Sequence, residues 1–269
     1  MTLPKPTGEF EWTQESWGPA LRCTPLSKAA DHCFSAWPFG ISAGRTDDAA
    51  GYVALARALH LPSARADQVV RLRQVHCAGV FEALGPVMSD TPYADPPEAD
   101  IAVSRDPTLV LTVRAADCVP VLLADRVTGA VSAIHAGWRG TAAGAVLAAV
   151  QALCAKFGTE PANIIAAVGP SIGPCCYTVG EELVHQFSSH PDAARWFPRS
   201  DDLRLDLWQA TRDQLERSGV APNDIHISAL CTYDNPVFPS YRRDGRAAGR
   251  LVAAIRANAQ PKSGRDTTP

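Results

Sequence analysis

The chain has no excess of positive charge: 25 Lys plus Arg stand against 28 Asp plus Glu in 269 residues, a formal net charge of −3. Nucleic acids and anionic membrane surfaces are bound through basic patches, so composition supports neither as a partner. Long apolar runs are also missing. The longest near the middle, 108–125, is broken by Arg114 and Asp117, short of the roughly 20 apolar residues that a membrane-spanning helix needs. Met1-Thr2-Leu3-Pro4-Lys5-Pro6 leads into Glu9, Glu11 and Trp12 instead of a basic segment and an apolar stretch. It does not read as a secretory signal, and a cytoplasmic location is expected. Neither a fixed-period repeat nor a low-complexity linker divides the chain.

Cysteine is present eight times, but never as Cys-x-x-Cys. The one close pair, Cys175-Cys176, is adjacent, a poor geometry for a chelating loop, which argues against a zinc ribbon. Without a secretory signal, the cysteines are expected to be reduced thiols, buried or reactive.

What is present, 46% apolar and 20% charged residues, suffices for one large globular domain of mixed α and β structure over 1–259. The polar ending, 260–269, is expected to be disordered. Residues 1–30 carry no sustained period and read as an irregular or short-strand lead-in. A helix is expected over 49–61, after the possible caps Asp47 and Asp48 and ended by Pro62. A strand follows over 69–76, then a Pro- and acid-rich loop over 85–98, the candidate for a mobile surface segment. Three strands follow over 109–114, 119–124 and 130–135. Their closeness implies antiparallel or mixed pairing, with 125–129 as a hairpin connection. A long helix over 141–157 is closed by Gly158. A strand at 164–168, helices at 180–189 and 207–218, and strands at 225–229 and 251–255 complete the reading.

Three side chains draw attention because each sits at an expected strand boundary. His135 precedes Ala136-Gly137-Trp138-Arg139-Gly140-Thr141, a strand, glycine turn and helix start. Such a turn lets backbone approach a ligand, its unpaired N–H groups favour an anion, and Arg139 adds a bidentate donor. The alternative is a tight turn beside a core histidine. Cys118 lies in the break between two apolar strands, as a nucleophile or metal ligand, or else as a small buried hydrophobe. His76 ends the 69–76 strand and alone would be structural. Together, two His and one Cys are a ligand set for catalytic zinc with one open position. They are equally a Cys–His nucleophile set without metal.

Five ordered blocks carry a resemblance. Arg73-Gln74-Val75-His76, 115–122 (Ala-Ala-Asp-Cys-Val-Pro-Val-Leu), 134–141 (Ile-His-Ala-Gly-Trp-Arg-Gly-Thr), 169–180 (Gly-Pro-Ser-Ile-Gly-Pro-Cys-Cys-Tyr-Thr-Val-Gly), and Cys231-Thr232 with 238–245 (Phe-Pro-Ser-Tyr-Arg-Arg-Asp-Gly) closely resemble the YfiH-like family. That family is also called laccase-domain, polyphenol oxidase, purine nucleoside phosphorylase and peptidoglycan editing factor. The resemblance spans about His32 to Ile255. It implies an α+β, four-layer α/β/β/α sandwich with mixed sheets, usually monomeric. It implies His76, Cys118 and His135 as catalytic and metal-binding residues, with zinc as the metal and copper as an alternative. The implied activity is phosphorolysis of adenosine, inosine, guanosine and methylthioadenosine, with adenosine deamination beside it; the partners are purine nucleosides and phosphate. Arg139, Gly140, Arg242 and Arg243 are the candidates to meet phosphate.

Two positions depart from the family. Trp37 stands where an Arg is common, in His32-Cys33-Phe34-Ser35-Ala36-Trp37, which removes a cation that could meet phosphate. Cys77 replaces the glycine that usually follows the histidine. Seven histidines with no His-x-His are too few imidazoles for a blue multicopper oxidase. Weak copper-dependent phenol oxidation at the His/Cys site, a metal-free hydrolase using Cys118 with His135, and a cell-wall precursor editing role are the alternatives.

Overall fold

Twelve strands form two six-stranded mixed sheets, in a computed structural model that describes residues 2–36, 49–61, 63–85, 96–198 and 202–258. The strands are β1 (Phe10–Glu15), β2 (Gly18–Cys23), β3 (Ala30–Ser35), β4 (Val69–Val70), β5 (Val80–Glu82), β6 (Ile101–Ser104), β7 (Val110–Ala115), β8 (Val119–Asp125), β9 (Val131–Ala136), β10 (Ile164–Val168), β11 (Ile225–Ile227) and β12 (Leu251–Ala257). The helices are α1 (Ala49–Ala58), α2 (Trp138–Ala142), α3 (Ala145–Phe157), α4 (Glu181–Gln186), α5 (Ala193–Trp196), α6 (Leu207–Arg217) and α7 (Tyr241–Asp244). The first sheet runs β1-β2-β3-β12-β7-β4 and the second β11-β10-β8-β9-β6-β5. Pairs β4–β7, β5–β6 and β10–β11 are parallel, whereas the other pairs are antiparallel.

Strand alternation builds the layers. Along β12, Leu251, Ala253 and Ile255 face a central apolar layer shared with Leu122 and Ala124 of β8 and Ile165 of β10. Val252 and Ala254 face the other way, onto Tyr52 and Leu55 of α1. Along β8, Val119, Val121 and Leu123 instead meet Ala149 and Leu153 of α3 and Leu215 of α6. Because both faces are covered, these strands read as continuous apolar runs instead of alternating ones. The result is the α/β/β/α sandwich implied by the resemblance.

Several elements differ from the sequence reading. Of the two readings of the lead-in, irregular or short-strand, the second holds, as a regular hairpin, β1–β2, paired from Phe10↔Cys23 to Glu15↔Gly18. The expected strand 69–76 survives only as Val69–Val70, since beyond it the backbone leaves the sheet and His76 takes φ +62°. The three central strands are not one ladder. β8 and β9 form the expected hairpin, but β7 pairs with β12 and β4 in the facing sheet. The expected helix 141–157 is two helices: Gly144 at φ +75° separates α2 from α3, and Gly158 at φ +68° closes α3 as anticipated. The first helix ends at Ala58. Trp37, Asp47, Asp48, Pro62, most of the 85–98 loop and the 260–269 tail lie outside the described residues. Among the described residues no helix is long and apolar enough to cross a membrane.

Candidate functional site

Cys118 marks the crossover between the two sheets, where β7 hands the chain to β8 through Ala116 and Asp117. Asp117 adopts φ +86°, a left-handed turn that Asp tolerates better than most residues. Its carboxylate holds that turn, accepting from the Thr232 hydroxyl at 2.6 Å and from the Arg242 amide at 2.6 Å. Val119 and Pro120 pair with Ala136 and His135, so the hairpin register sets Cys118 beside the end of β9. His135 is there, 3% exposed.

His76 arrives from a loop whose strained φ is held by one carboxylate. Asp100 accepts from the amides of Val75 at 3.1 Å, His76 at 3.0 Å and Cys77 at 2.8 Å. The side-chain amide of Gln74 pins the same loop to β7, donating to the Arg114 carbonyl at 2.7 Å and accepting from the Arg114 amide at 2.9 Å. Asp100 also accepts from Nδ1 of His135 at 2.7 Å. An ionised carboxylate only accepts, so His135 carries its proton on Nδ1 and presents Nε2 to Cys118.

The ligand atoms of His76, Cys118 and His135 lie within 4.8 Å of one another, with the two imidazoles 4.9 Å apart at 72°. Gly137 makes room for them, because a Cβ there would stand 2.7 Å from Cys118 Sγ and 3.3 Å from His76 Cδ2. Two imidazoles and a thiolate are a borderline-soft donor set that suits zinc or copper. A carboxylate on the far nitrogen of a ligating histidine is how such ligands are commonly oriented. The residues therefore fit a metal ion.

Without metal the site is strongly polarised. Burial raises the Cys118 thiol, but the charge of His135 and hydrogen bonds from His135 and His76 overcome this and bring it to about 6. Burial lowers His135, yet the Cys118 thiolate and Asp100 lift it to about 9. Asp100, pushed up by burial, is brought to about 2 by the His135 and Cys77 hydrogen bonds. A thiolate, an imidazolium and a carboxylate thus stand in line at neutral pH.

The cluster opens into a cavity of about 610 Å³, within the range of small-molecule sites. Five arginines line it: Arg73, Arg114, Arg139, Arg242 and Arg250. Arg139 lies 4.2 Å over the Trp138 ring and Arg242 5.0 Å over that of Tyr177. Asp117 is the only acid among the described lining residues, and its carboxylate is already committed. Of the residues singled out for phosphate, Arg139 and Arg242 line the cavity, whereas Gly140 and Arg243 are not among the lining residues. Gly140 packs under the carbonyls of Cys77 and His135. The Arg243 guanidinium donates to the carbonyls of Thr232, Tyr233 and Phe238 and pairs with Asp244. Cys77 stays out of the ligand cluster, its Sγ accepting from the Gly79 amide at 3.1 Å.

Sequence reasoning missed Asp100, Gln74, Asp117, Gly137, Arg114 and Arg250. Gln74 and Asp117 lie inside the quoted motifs, and Gly137 reads there as a turn that lets backbone approach a ligand, not as the space that Cys118 and His76 need. Asp100 has no local signal, since its role appears only when β6 pairs with β9. The adjacent Cys175-Cys176 pair, dismissed on spacing, is completed by Cys231 into a second three-donor cluster.

The fold and site thus define an α+β sandwich protein with a candidate metal centre at the floor of an arginine-lined cavity. The family model described as multi-copper polyphenol oxidoreductase laccase matches residues 38–258, and the chain belongs to this YfiH-like family. It is 39% identical over 216 residues to a purine nucleoside phosphorylase of Streptomyces coelicolor, covering 79% of this chain and 85% of that one. It is 36% identical over 250 residues to one of Deinococcus radiodurans, covering 88% and 92%. A match of 37% identity to one of Bacteroides thetaiotaomicron spans only 60% of that protein. The crystal structure of YlmD from Geobacillus stearothermophilus superposes with a TM-score of 0.80 at 30% identity, over 92% of this chain and 99% of that one.

Proposed function

We propose that this chain is a purine nucleoside phosphorylase whose His76, Cys118 and His135 hold a zinc ion. The observation that carries the reading is the composition of the cavity wall: five arginines beside a donor set of two imidazoles and a thiolate, with the one acid among the described lining residues bound elsewhere. Such a wall selects a compact anion, and guanidinium forks suit phosphate. The names of the relatives support the same substrate class.

In the reaction a phosphate oxygen forms a bond to C1′ of the ribose, the C1′–N9 bond breaks, and the base leaves with its electron pair and takes up a proton. Arg139 and Arg242 hold the phosphate and spread its charge, each steadied by the ring it lies over, Trp138 and Tyr177. Asp100 keeps His135 in the tautomer that points Nε2 at the site. A zinc ion on the three ligands would supply Lewis acidity at its open position. Adenosine deamination, the companion reaction, would draw on the same Lewis acidity. A multicopper oxidase is not supported, because among the described residues only two imidazoles stand in a metal-type cluster, although the donor set itself suits a single copper ion.

The test is chromatographic. Inosine and adenosine are incubated with and without phosphate, and hypoxanthine, adenine and ribose 1-phosphate are quantified. Phosphate-dependent base release that disappears in Cys118→Ala is expected. No release by folded, zinc-loaded protein would overturn the reading.

A further inference from the structure

A second group of metal-type donors stands apart from the cavity. The Sγ atoms of Cys175, Cys176 and Cys231 lie within 4.8 Å of one another, and none of the three residues lines the cavity. Two backbone segments are paired to bring this about. Ser171 bridges Cys231, with the Ser171 amide donating to Leu230 O at 3.2 Å and the Thr232 amide to Ser171 O at 3.1 Å. A turn then brings the vicinal pair back, closed by the amides of Cys176 and Tyr177 on the Gly173 carbonyl, both at 3.0 Å. The Gly173 amide donates to Cys231 Sγ at 3.3 Å. A donor aimed at sulfur fixes the thiol and stabilises negative charge on it. Access is graded: Cys175 is exposed, Cys176 half-buried and Cys231 buried.

We propose that Cys175, Cys176 and Cys231 form a second, all-sulfur site that binds a soft monovalent cation of the cuprous class. Thiolates select soft metals. The cluster contains no imidazole or carboxylate. A d¹⁰ monovalent ion accepts three sulfurs as a complete set, whereas structural zinc asks for four protein donors. Binding exchanges three S–H bonds for three S–Cu bonds and releases three protons to solvent; copper stays cuprous and no electron moves. The complex carries a net charge of −2, and two arginines brace the backbone at its border, Arg243 being itself paired with Asp244. Arg204 donates to the carbonyls of Cys175 and Pro174, and Arg243 to those of Thr232 and Tyr233. The site has its own place in the fold and does not depend on the proposed phosphorylase activity.

The experiment uses the full chain with Cys118→Ala, so that the first cluster loses its only sulfur. Cuprous ion alone is offered anaerobically, buffered by a chromophoric cuprous chelator, and X-ray absorption reads the copper environment. One equivalent withdrawn from the chelator, with a sulfur-only shell, is expected. Adding Cys175→Ser and Cys176→Ser should weaken that uptake at least a hundredfold at an unchanged thermal midpoint. Should the triple variant fail to fold, adding Cys175→Ser alone changes only an exposed side chain and should weaken uptake at least tenfold. The proposal is overturned by no uptake in Cys118→Ala, by nitrogen or oxygen in the copper shell, or by uptake that survives the serine substitutions. Tight capture of zinc, offered alone, without capture of cuprous ion overturns it too.

Discussion

Asp100 and His135 are joined twice, by Nδ1 of the ring on the carboxylate at 2.7 Å and by the His135 amide on the Asp100 carbonyl at 2.8 Å. The same fully buried carboxylate carries the three amides that fix His76. One side chain therefore positions two of the three residues proposed to hold the metal. Asp100→Asn keeps the shape but offers one acceptor oxygen and an NH₂ where the amides and Nδ1–H need acceptors. It should lose zinc affinity by roughly 10- to 100-fold, the usual cost of removing such a partner. Competition with a zinc chelator measures this, and unchanged affinity would remove Asp100 from its positioning role.

Gly137 separates a steric requirement from a backbone one. Its φ of −75° suits any residue, so Gly137→Ala adds no strain to the main chain. The new Cβ would nevertheless stand 2.7 Å from Cys118 Sγ. Displacing a reacting or ligating atom by about 1 Å costs on the order of 10²-fold in rate, and that is the loss of turnover expected. Gly140→Ala meets two carbonyl oxygens, at 3.4 and 3.5 Å, and Ala145 Cβ at 3.7 Å, and should cost far less. Assaying the two variants side by side, with bound zinc measured, decides the matter; equal losses would contradict it.

Two arginines from one reading of the sequence take different parts. Arg139 lines the cavity, stacked on Trp138, whereas Arg243 ties three carbonyls together. Arg139→Met should raise KM for phosphate at least tenfold with little change in the urea midpoint. Arg243→Met should destabilise by about 2 kcal/mol, since carbonyls lose charge-assisted donors. Initial rates against phosphate and urea melts of both variants test the assignment, and an exchange of the two phenotypes would refute it.

What was legible in the sequence was local, and what was not was tertiary. Gly158 ends α3 and Asp125 to Gly129 turn β8 into β9 because helix caps and short hairpins follow from their own residues. The sandwich and the His76, Cys118 and His135 grouping were implied by the motif resemblance, which supplied the long-range pairing that spacing could not. His76 was misplaced on a strand end because residues 69–76 alternate in polarity. Asp100 and Gln74 bend that segment out of the sheet, and neither acts through sequence proximity. β7 and β8 read as neighbours for the same reason, since only the left-handed turn at Asp117 sends them to opposite sheets. Gly144 lay in plain view inside the alanine-rich run, where a single glycine is tolerated often enough to hide a break.

The remaining histidine in the core sets an acid limit on the fold. His32 on β3 is fully buried, its Nε2 accepting from the Cys23 amide at 2.8 Å. Burial drives its pKa down from 6.5 to about 4. Between those values the unfolded chain holds a proton that the folded chain does not, so stability rises with pH across that window. The contribution is complete above pH 6.5 and gone once pH falls below about 4, a span of about 3 kcal/mol at roughly 1.36 kcal/mol per unit. His32→Gln keeps an acceptor for the Cys23 amide without a group that titrates in that window. Its denaturation free energy should therefore fall less steeply than that of the native chain between pH 6.5 and 4, by about 3 kcal/mol in total. Parallel urea melts at half-unit steps supply the comparison, and parallel slopes for the two proteins would show that His32 is not the group that titrates.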